Sequence, residues 1–205
     1  MALIKQPSQH LDGQERREQP RTVADLVSAL RHAEADVRRW AARDLDGLDE
    51  AAPALLAALP QETDRGTRDA LLATLAGTSD PAVVRLLAEH LRSEDAGLRN
   101  AVAEALARMP LGGEVAREWA DDPDADVRIL VVMVLTRTDD PLGRATLEHL
   151  VRDDPDARVV ASSVAALEQT GQCPAELVVA AHGRFPDDPF LEFLVEHATH
   201  RRARP

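Results

Sequence analysis

The chain has no tyrosine, three phenylalanines and two tryptophans, so aromatics make up only 2% of its 205 residues. A β-sandwich or barrel draws on aromatic and β-branched residues for its pleated faces, and this composition argues against one. Cysteine is nearly absent: Cys173 stands alone, which excludes an internal disulfide and a Cys-x-x-Cys metal pair. The longest unbroken apolar run, Ile129 to Leu135, has seven residues. A membrane helix needs roughly twenty. Met1 to Lys5 is too poor in apolar residues to begin a signal peptide. No phosphate-binding glycine loop, Rossmann glycine pattern, His-Glu-x-x-His or Gly-x-Ser-x-Gly occurs. The expectation is a cytoplasmic protein with no membrane segment, no bound metal and no cofactor.

What is present is the vocabulary of packed helices, chiefly Ala, Leu, Arg and Glu. The net charge is −12, and both ends are locally basic, so the stretch between them is more acidic still. Such a body repels phosphate backbones, which argues against nucleic acid as a partner and favours a protein with a basic surface.

One phrase recurs about every thirty residues. Asp36-Val37-Arg38, Gly66-Thr67-Arg68, Gly97-Leu98-Arg99 and Asp126-Val127-Arg128 each lead into small and apolar residues that close on a leucine. The closing leucines are 45, 75, 106, 135 and 167, spaced 30, 31, 29 and 32 apart; the arginines are spaced 30, 31 and 29. Two columns with one period mark a repeat array. In the fifth copy Val160 takes the place of the arginine. Each copy carries a helical apolar stripe and is followed by a second helix, near 53–60, 80–92, 113–120, 141–152 and 174–184. Five Asp-Pro steps, at Asp80, Asp122, Asp140, Asp154 and Asp188, read as helix starts, with Asp as cap and Pro at the first helical position. Gly77 and Gly171 suit helix ends.

Helix pairs of this length, with Asp-x-Val-Arg followed by small residues and Leu, resemble HEAT repeats. They are similar above all to the short bacterial type named after phycobilin lyase subunits, over roughly residues 22–185. The resemblance implies an all-α, right-handed α-solenoid of about five helix pairs. A cap helix at about residues 22–32 would open it. Near the C-terminus Phe185, Phe190 and Phe193, with Leu191, Leu194 and Val195, suggest a final helix that would plug its far end. Residues 1–20 are expected as a flexible arm, 21–200 as the solenoid and 201–205 as a basic tail. The resemblance implies function less sharply, because such units occur in scaffolds, in bilin lyase subunits and, with added metal ligands, in deoxyhypusine hydroxylase.

The arginine column, Arg38, Arg68, Arg99 and Arg128, is expected to form an inter-repeat ladder with Asp36, Asp126 or the turn aspartates as partners. Three Glu-His pairs, Glu89-His90, Glu148-His149 and Glu196-His197, reverse the order of the hydroxylase's iron ligands. The first two lie two repeats apart, too far to share an ion. The expected partner-binding stripe runs along the second helices through Glu89, His90, Trp119, Glu148 and His149. The sequence leaves two places open for Trp119, on that stripe or buried between repeats. Trp40 is expected as partly buried packing. Cys173, before Pro174, lacks the His and Asp company of a nucleophile. The leading reading is a non-catalytic adaptor of undetermined oligomeric state that binds a partner protein along the concave face. The alternatives are a bilin lyase-like subunit and, behind it, a metal-dependent hydroxylase-like protein.

Overall fold

A computed structural model describes the backbone of residues 22–171 and 173–202, with side chains described as far as residue 195. The expected arm at 1–20, the last three residues of the tail and the side chains of Glu196 and His197 lie outside the described residues. Among the described residues there are helices and turns but no strands, and no helix is long and apolar enough to cross a membrane.

The chain opens with α1 (Val23–Ala29), which Thr22 caps by accepting from the Asp25 amide while the Asp25 carboxylate accepts from the Thr22 amide. Five helix pairs follow: α2 (Ala35–Asp44) with α3 (Ala52–Ala58), α4 (Arg65–Leu75) with α5 (Pro81–Ala88), α6 (Ala96–Leu106) with α7 (Gly112–Arg117), α8 (Ala125–Arg137) with α9 (Gly143–Asp153), and α10 (Ala157–Gln169) with α11 (Ala175–Arg184). Helix α12 (Pro189–Arg202) closes the array and runs through Arg201 and Arg202, which the sequence reading assigned to the tail. The second helices of the first two pairs tighten into 3₁₀ turns at Leu59–Gln61 and Glu89–Arg92.

Each first helix packs on the next, from α2 through α4, α6 and α8 to α10, and the second helices form a parallel row from α3 to α11. The result is an α-solenoid whose core is the seam between two rows. The five closing leucines, Leu45, Leu75, Leu106, Leu135 and Leu167, are all buried in that seam. Hydroxyls add cross-links between α4 and α2, where Thr67 and Thr74 donate to the carbonyls of Ala35 and Ala42 at 3.1 and 2.8 Å.

Five short loops connect the units along one edge: residues 32–34, 62–64, 93–95, 122–124 and 154–156. They correct the reading of the Asp-Pro steps. Asp80 and Asp188 do sit at helix starts and accept helix amides. Asp122 and Asp154 do not cap. The caps are Asp124 and Asp156, two residues later, and the first aspartate of each Asp-Pro-Asp accepts the amide of the second at 2.9 and 2.8 Å. Asp140 likewise precedes its helix by three residues and accepts Arg117 Nε at 2.6 Å. The first aspartate is thereby free to take an arginine. Helix ends differ too: the left-handed glycines are Gly47 and Gly171, whereas Gly77 stays in ordinary backbone.

The final helix packs by the expected leucines, but two of its phenylalanines face outward. Leu191 and Leu194 enter the core, while Phe190 and Phe193 are 42% and 56% exposed.

A Cβ on Gly112, at the tight α6–α7 turn, would collide with the carbonyl oxygen of Leu106, whereas one on Gly183 would meet nothing within 4 Å. Gly112→Ala is therefore expected to destabilise by roughly 2–3 kcal/mol through overpacking. Gly183→Ala, inside α11, should stabilise by about 0.5–1 kcal/mol. Urea unfolding followed by circular dichroism checks both signs.

Candidate functional site

The loop edge is held by guanidinium groups. Arg38, on α2, donates to the His32 and Ala33 carbonyls at 2.8 and 2.9 Å and forms a two-pronged bond with Glu62 at 2.7 and 2.8 Å. It thus joins the first loop to the second. Arg68 joins the second to the third, through the Glu62 carbonyl and the Asp95 carboxylate, both at 2.7 Å. Arg128 joins the fourth to the fifth: it donates to the Asp122 carbonyl at 2.7 Å and to both Asp154 oxygens at 2.7 and 2.9 Å. Arg128 and Asp154 are only 8% and 2% exposed.

Arg99 is the exception, since its guanidinium donates to the Ser93 carbonyl, at 2.9 Å, and reaches no carboxylate of the next loop. The link from third loop to fourth comes instead from Arg92, which holds Asp122 at 2.6 Å and lies 4.9 Å over the Trp119 ring. At the fifth loop, where Val160 replaces the arginine, Arg184 reaches in from α11 and donates to the carbonyls of Val151 and Asp154 at 2.8 and 2.6 Å. Of the partners named from sequence, the turn aspartates Asp95 and Asp154 do pair with column arginines, whereas Asp36 and Asp126 do not. Asp36 pairs with Arg39 and Asp126 with Arg158, neither of them column arginines. Each column carboxylate comes from the loop that follows its arginine's unit, because the stem runs along the helix pair toward that loop.

These bonds set the acidity of the loop carboxylates. The Arg38 guanidinium holds Glu62 below the usual carboxylate range, against the opposing effect of burial. The Thr67 hydroxyl and amide, with Arg39, lower Asp64 to about 2. Amide bonds from the start of α6 and the charge of Arg68 lower Asp95, and Arg158 lowers Asp156.

The stripe residues lie beside this edge on the second-helix row. Glu89 is exposed, and His90 is half-buried, with burial pushing its imidazole toward the neutral form. Trp119 is half-buried beneath Arg92 with one side packed on the core, so it takes a position between the two that the sequence left open. Glu148 has both oxygens engaged by Arg144 and Arg152, at 2.9 Å each, which lowers its pKa and makes it a brace within α9. His149 is exposed, with Nδ1 2.9 Å from Asp153 and Nε2 3.8 Å from Asp121. The structure therefore joins His149 to Asp121, two residues after Trp119, and joins Trp119 to Arg92, two residues after His90. Trp40, on the first-helix row, is half-buried with Arg43 5.1 Å over its ring. Cys173 is half-buried next to Pro174, the N-terminal cap of α11.

Sequence reading missed Arg92, Asp121, Asp153 and Arg184. A signal was present for the first three. Asp-Asp-Pro occurs at 121–123 and again at 153–155, and Arg92 stands 30 residues before Asp122, one repeat period. No periodic signal marks Arg184. Among the described residues, no group of three or more His, Cys, Asp or Glu side chains is arranged to hold a metal ion.

The two rows, the thirty-residue period and the loop ladder define an α-solenoid of the repeat class, and comparison assigns the repeat. Residues 23–107 match the family model for HEAT repeats, and helix pairs continue beyond them to Arg184. No curated protein matches it. Among solved structures it is similar to the complex of CpcE and CpcF of phycocyanin lyase from Nostoc sp. PCC7120, at 20% identity and a TM-score of 0.46, over 87% of this chain and 76% of that one. It is also similar to an engineered protein, at 18% identity and a TM-score of 0.40, over 87% of this chain and 95% of the other.

Arg128→Ala leaves the Asp154 carboxylate buried without its cation and should cost about 3–5 kcal/mol. Arg144→Ala, at an exposed pair, should leave the urea midpoint unchanged. The lowered loop carboxylates also fix the acid response. Their native pKa values lie below the unfolded value of about 4, so their contribution is complete above that pH and disappears as pH falls toward about 2, the value at Asp64. Thermal melts from pH 6 to pH 2 should show steep loss below pH 4, and Glu62→Gln should flatten it.

Proposed function

We propose that this chain is a non-catalytic adaptor that holds a partner protein along its second-helix row, around Trp119 and His149. Trp119 carries the reading. It is the one tryptophan of that row, it is fixed by the core on one side and Arg92 on the other, and part of its ring remains open. A rigid, half-open tryptophan costs little entropy on binding, which is the character of an interface anchor. The surface around it is mixed but richer in carboxylates, with Glu89, Glu114, Glu118 and Asp121 exposed beside it. That pattern, and the net charge of −12, suit a partner with a basic face. Glu148 supports the row from within α9 rather than contacting the partner, because its oxygens are already engaged.

The test is capture of partners from native cells by the tagged chain, with Trp119→Ala against Trp40→Ala. Trp40 is a matched control, half-buried beneath an arginine on the opposite row. The adaptor reading expects Trp119→Ala to lose a specific partner while Trp40→Ala retains it, with both variants folded by circular dichroism. Retention of every partner by folded Trp119→Ala would overturn it.

A further inference from the structure

The first unit of a solenoid lacks the neighbour that every later unit has before it. The face a first helix turns toward the preceding unit is marked on α4, whose Thr67 and Thr74 hydroxyls donate to the Ala35 and Ala42 carbonyls of α2. Leu98, Val127 and Val159 stand in the column of Thr67, and all four are at most 1% exposed. Each belongs to a first helix that packs on the one before it. In α2 the same position is Val37, and it is only half-buried. Three residues further on, the column holds Ala70, Ala101, Leu130 and Ser162, but α2 carries Trp40. Its ring is half-buried, with Arg43 5.1 Å over it. Among the described residues, no helix precedes α2 in the first-helix row to cover Val37 and Trp40.

Helix α1 belongs to the other row. It stands to α2 as α3 stands to α4: Arg38 takes the His32 carbonyl just beyond α1, and Arg68 takes the Glu62 carbonyl just beyond α3, six residues back in each case. Helices alternate between the two rows along the chain. The chain that leads into Thr22 therefore arrives on the side of the uncovered first-row face. Twenty-one residues precede Thr22. Near their start Ala2-Leu3-Ile4 is an apolar triplet in a stretch that is otherwise mostly polar. Residues 5–21 reach up to about 55 Å when extended, against an inter-helix distance of about 10 Å.

We propose that Ala2-Leu3-Ile4 of the same chain covers this open end, packed on Val37 and Trp40. Tethering gives the triplet an effective concentration on the order of millimolar, so a few apolar contacts hold it against untethered competitors. The cover removes from water the apolar surface on which two arrays would otherwise stack end to end. The inference is independent of the adaptor reading, which concerns the second-helix row.

The full-length chain with Trp119→Phe keeps Trp40 as its one tryptophan. The emission maximum of that ring and its quenching by acrylamide report how well it is covered. Leu3→Asp with Ile4→Asp is expected to shift the emission to longer wavelength and to raise the quenching constant, with the helical circular dichroism unchanged. Gln6→Asp with Gln9→Asp adds the same charge without removing an apolar group and should change neither. Unchanged emission and quenching in the first pair, or equal changes in both pairs, would overturn the proposal. Emission that moves to longer wavelength on dilution of the chain without the aspartate substitutions, as its sedimentation mass falls from dimer to monomer, would also overturn it and would assign the open end to a second copy.

Discussion

The solenoid depends on guanidinium groups that bridge consecutive inter-unit loops. Each loop turns the chain between two helices and leaves carbonyls at a partly buried edge. Such groups need partners, because an unpaired buried carbonyl costs about as much as a lost hydrogen bond. Arg38, Arg68 and Arg128 each meet that need on one loop and hold a carboxylate of the next with the same side chain. One residue type thus satisfies the backbone and fixes the spacing between units. The helical rows then follow, with the closing leucines filling the seam.

The ladder is not uniform, and its departures give the surface its individuality. Arg92 replaces the acid-directed arm of Arg99, and in doing so it stacks on Trp119 and fixes that ring. Arg184 replaces the rung lost at Val160 and ties α11 back to the fifth loop. At the fourth loop the outer position is Asp121, and the edge becomes acidic where His149 lies between Asp121 and Asp153. A repeat protein needs its joints alike and its binding face different. Here the inner guanidinium layer carries the first requirement and the outer layer the second.

Much of the architecture was legible in the sequence, since period and stripe follow from helix geometry alone. Arg38, Arg68 and Arg128 of the arginine column bridge loops while Arg99 does not, and the leucine column fills the seam. The misreadings came where two roles share one residue type. Aspartate caps helices and also pairs with arginine, and Asp122 and Asp154 take the second role because Asp124 and Asp156 already hold the first. Phenylalanine and leucine were read together as plug, but only Leu191 and Leu194 are buried, and Phe190 and Phe193 are exposed. For the candidate site, Trp119 and His149 were visible as row positions. The pairing of His149 with Asp121 and Asp153 was not, because it depends on where two helix ends stop. Arg184 had no signal, as it sits outside the arginine period altogether.

The central claim is that a guanidinium bonded to both a loop carbonyl and the next loop's carboxylate fixes successive units to one another. A double-mutant cycle on Arg128 and Asp154, with both replaced singly and together by leucine, measures it directly through urea unfolding. The account predicts a coupling of at least about 2 kcal/mol, because each single replacement strands its partner in a buried setting that the double replacement relieves. Additive effects, with coupling near zero, would contradict it and would mean that the helix rows set the register without the ladder.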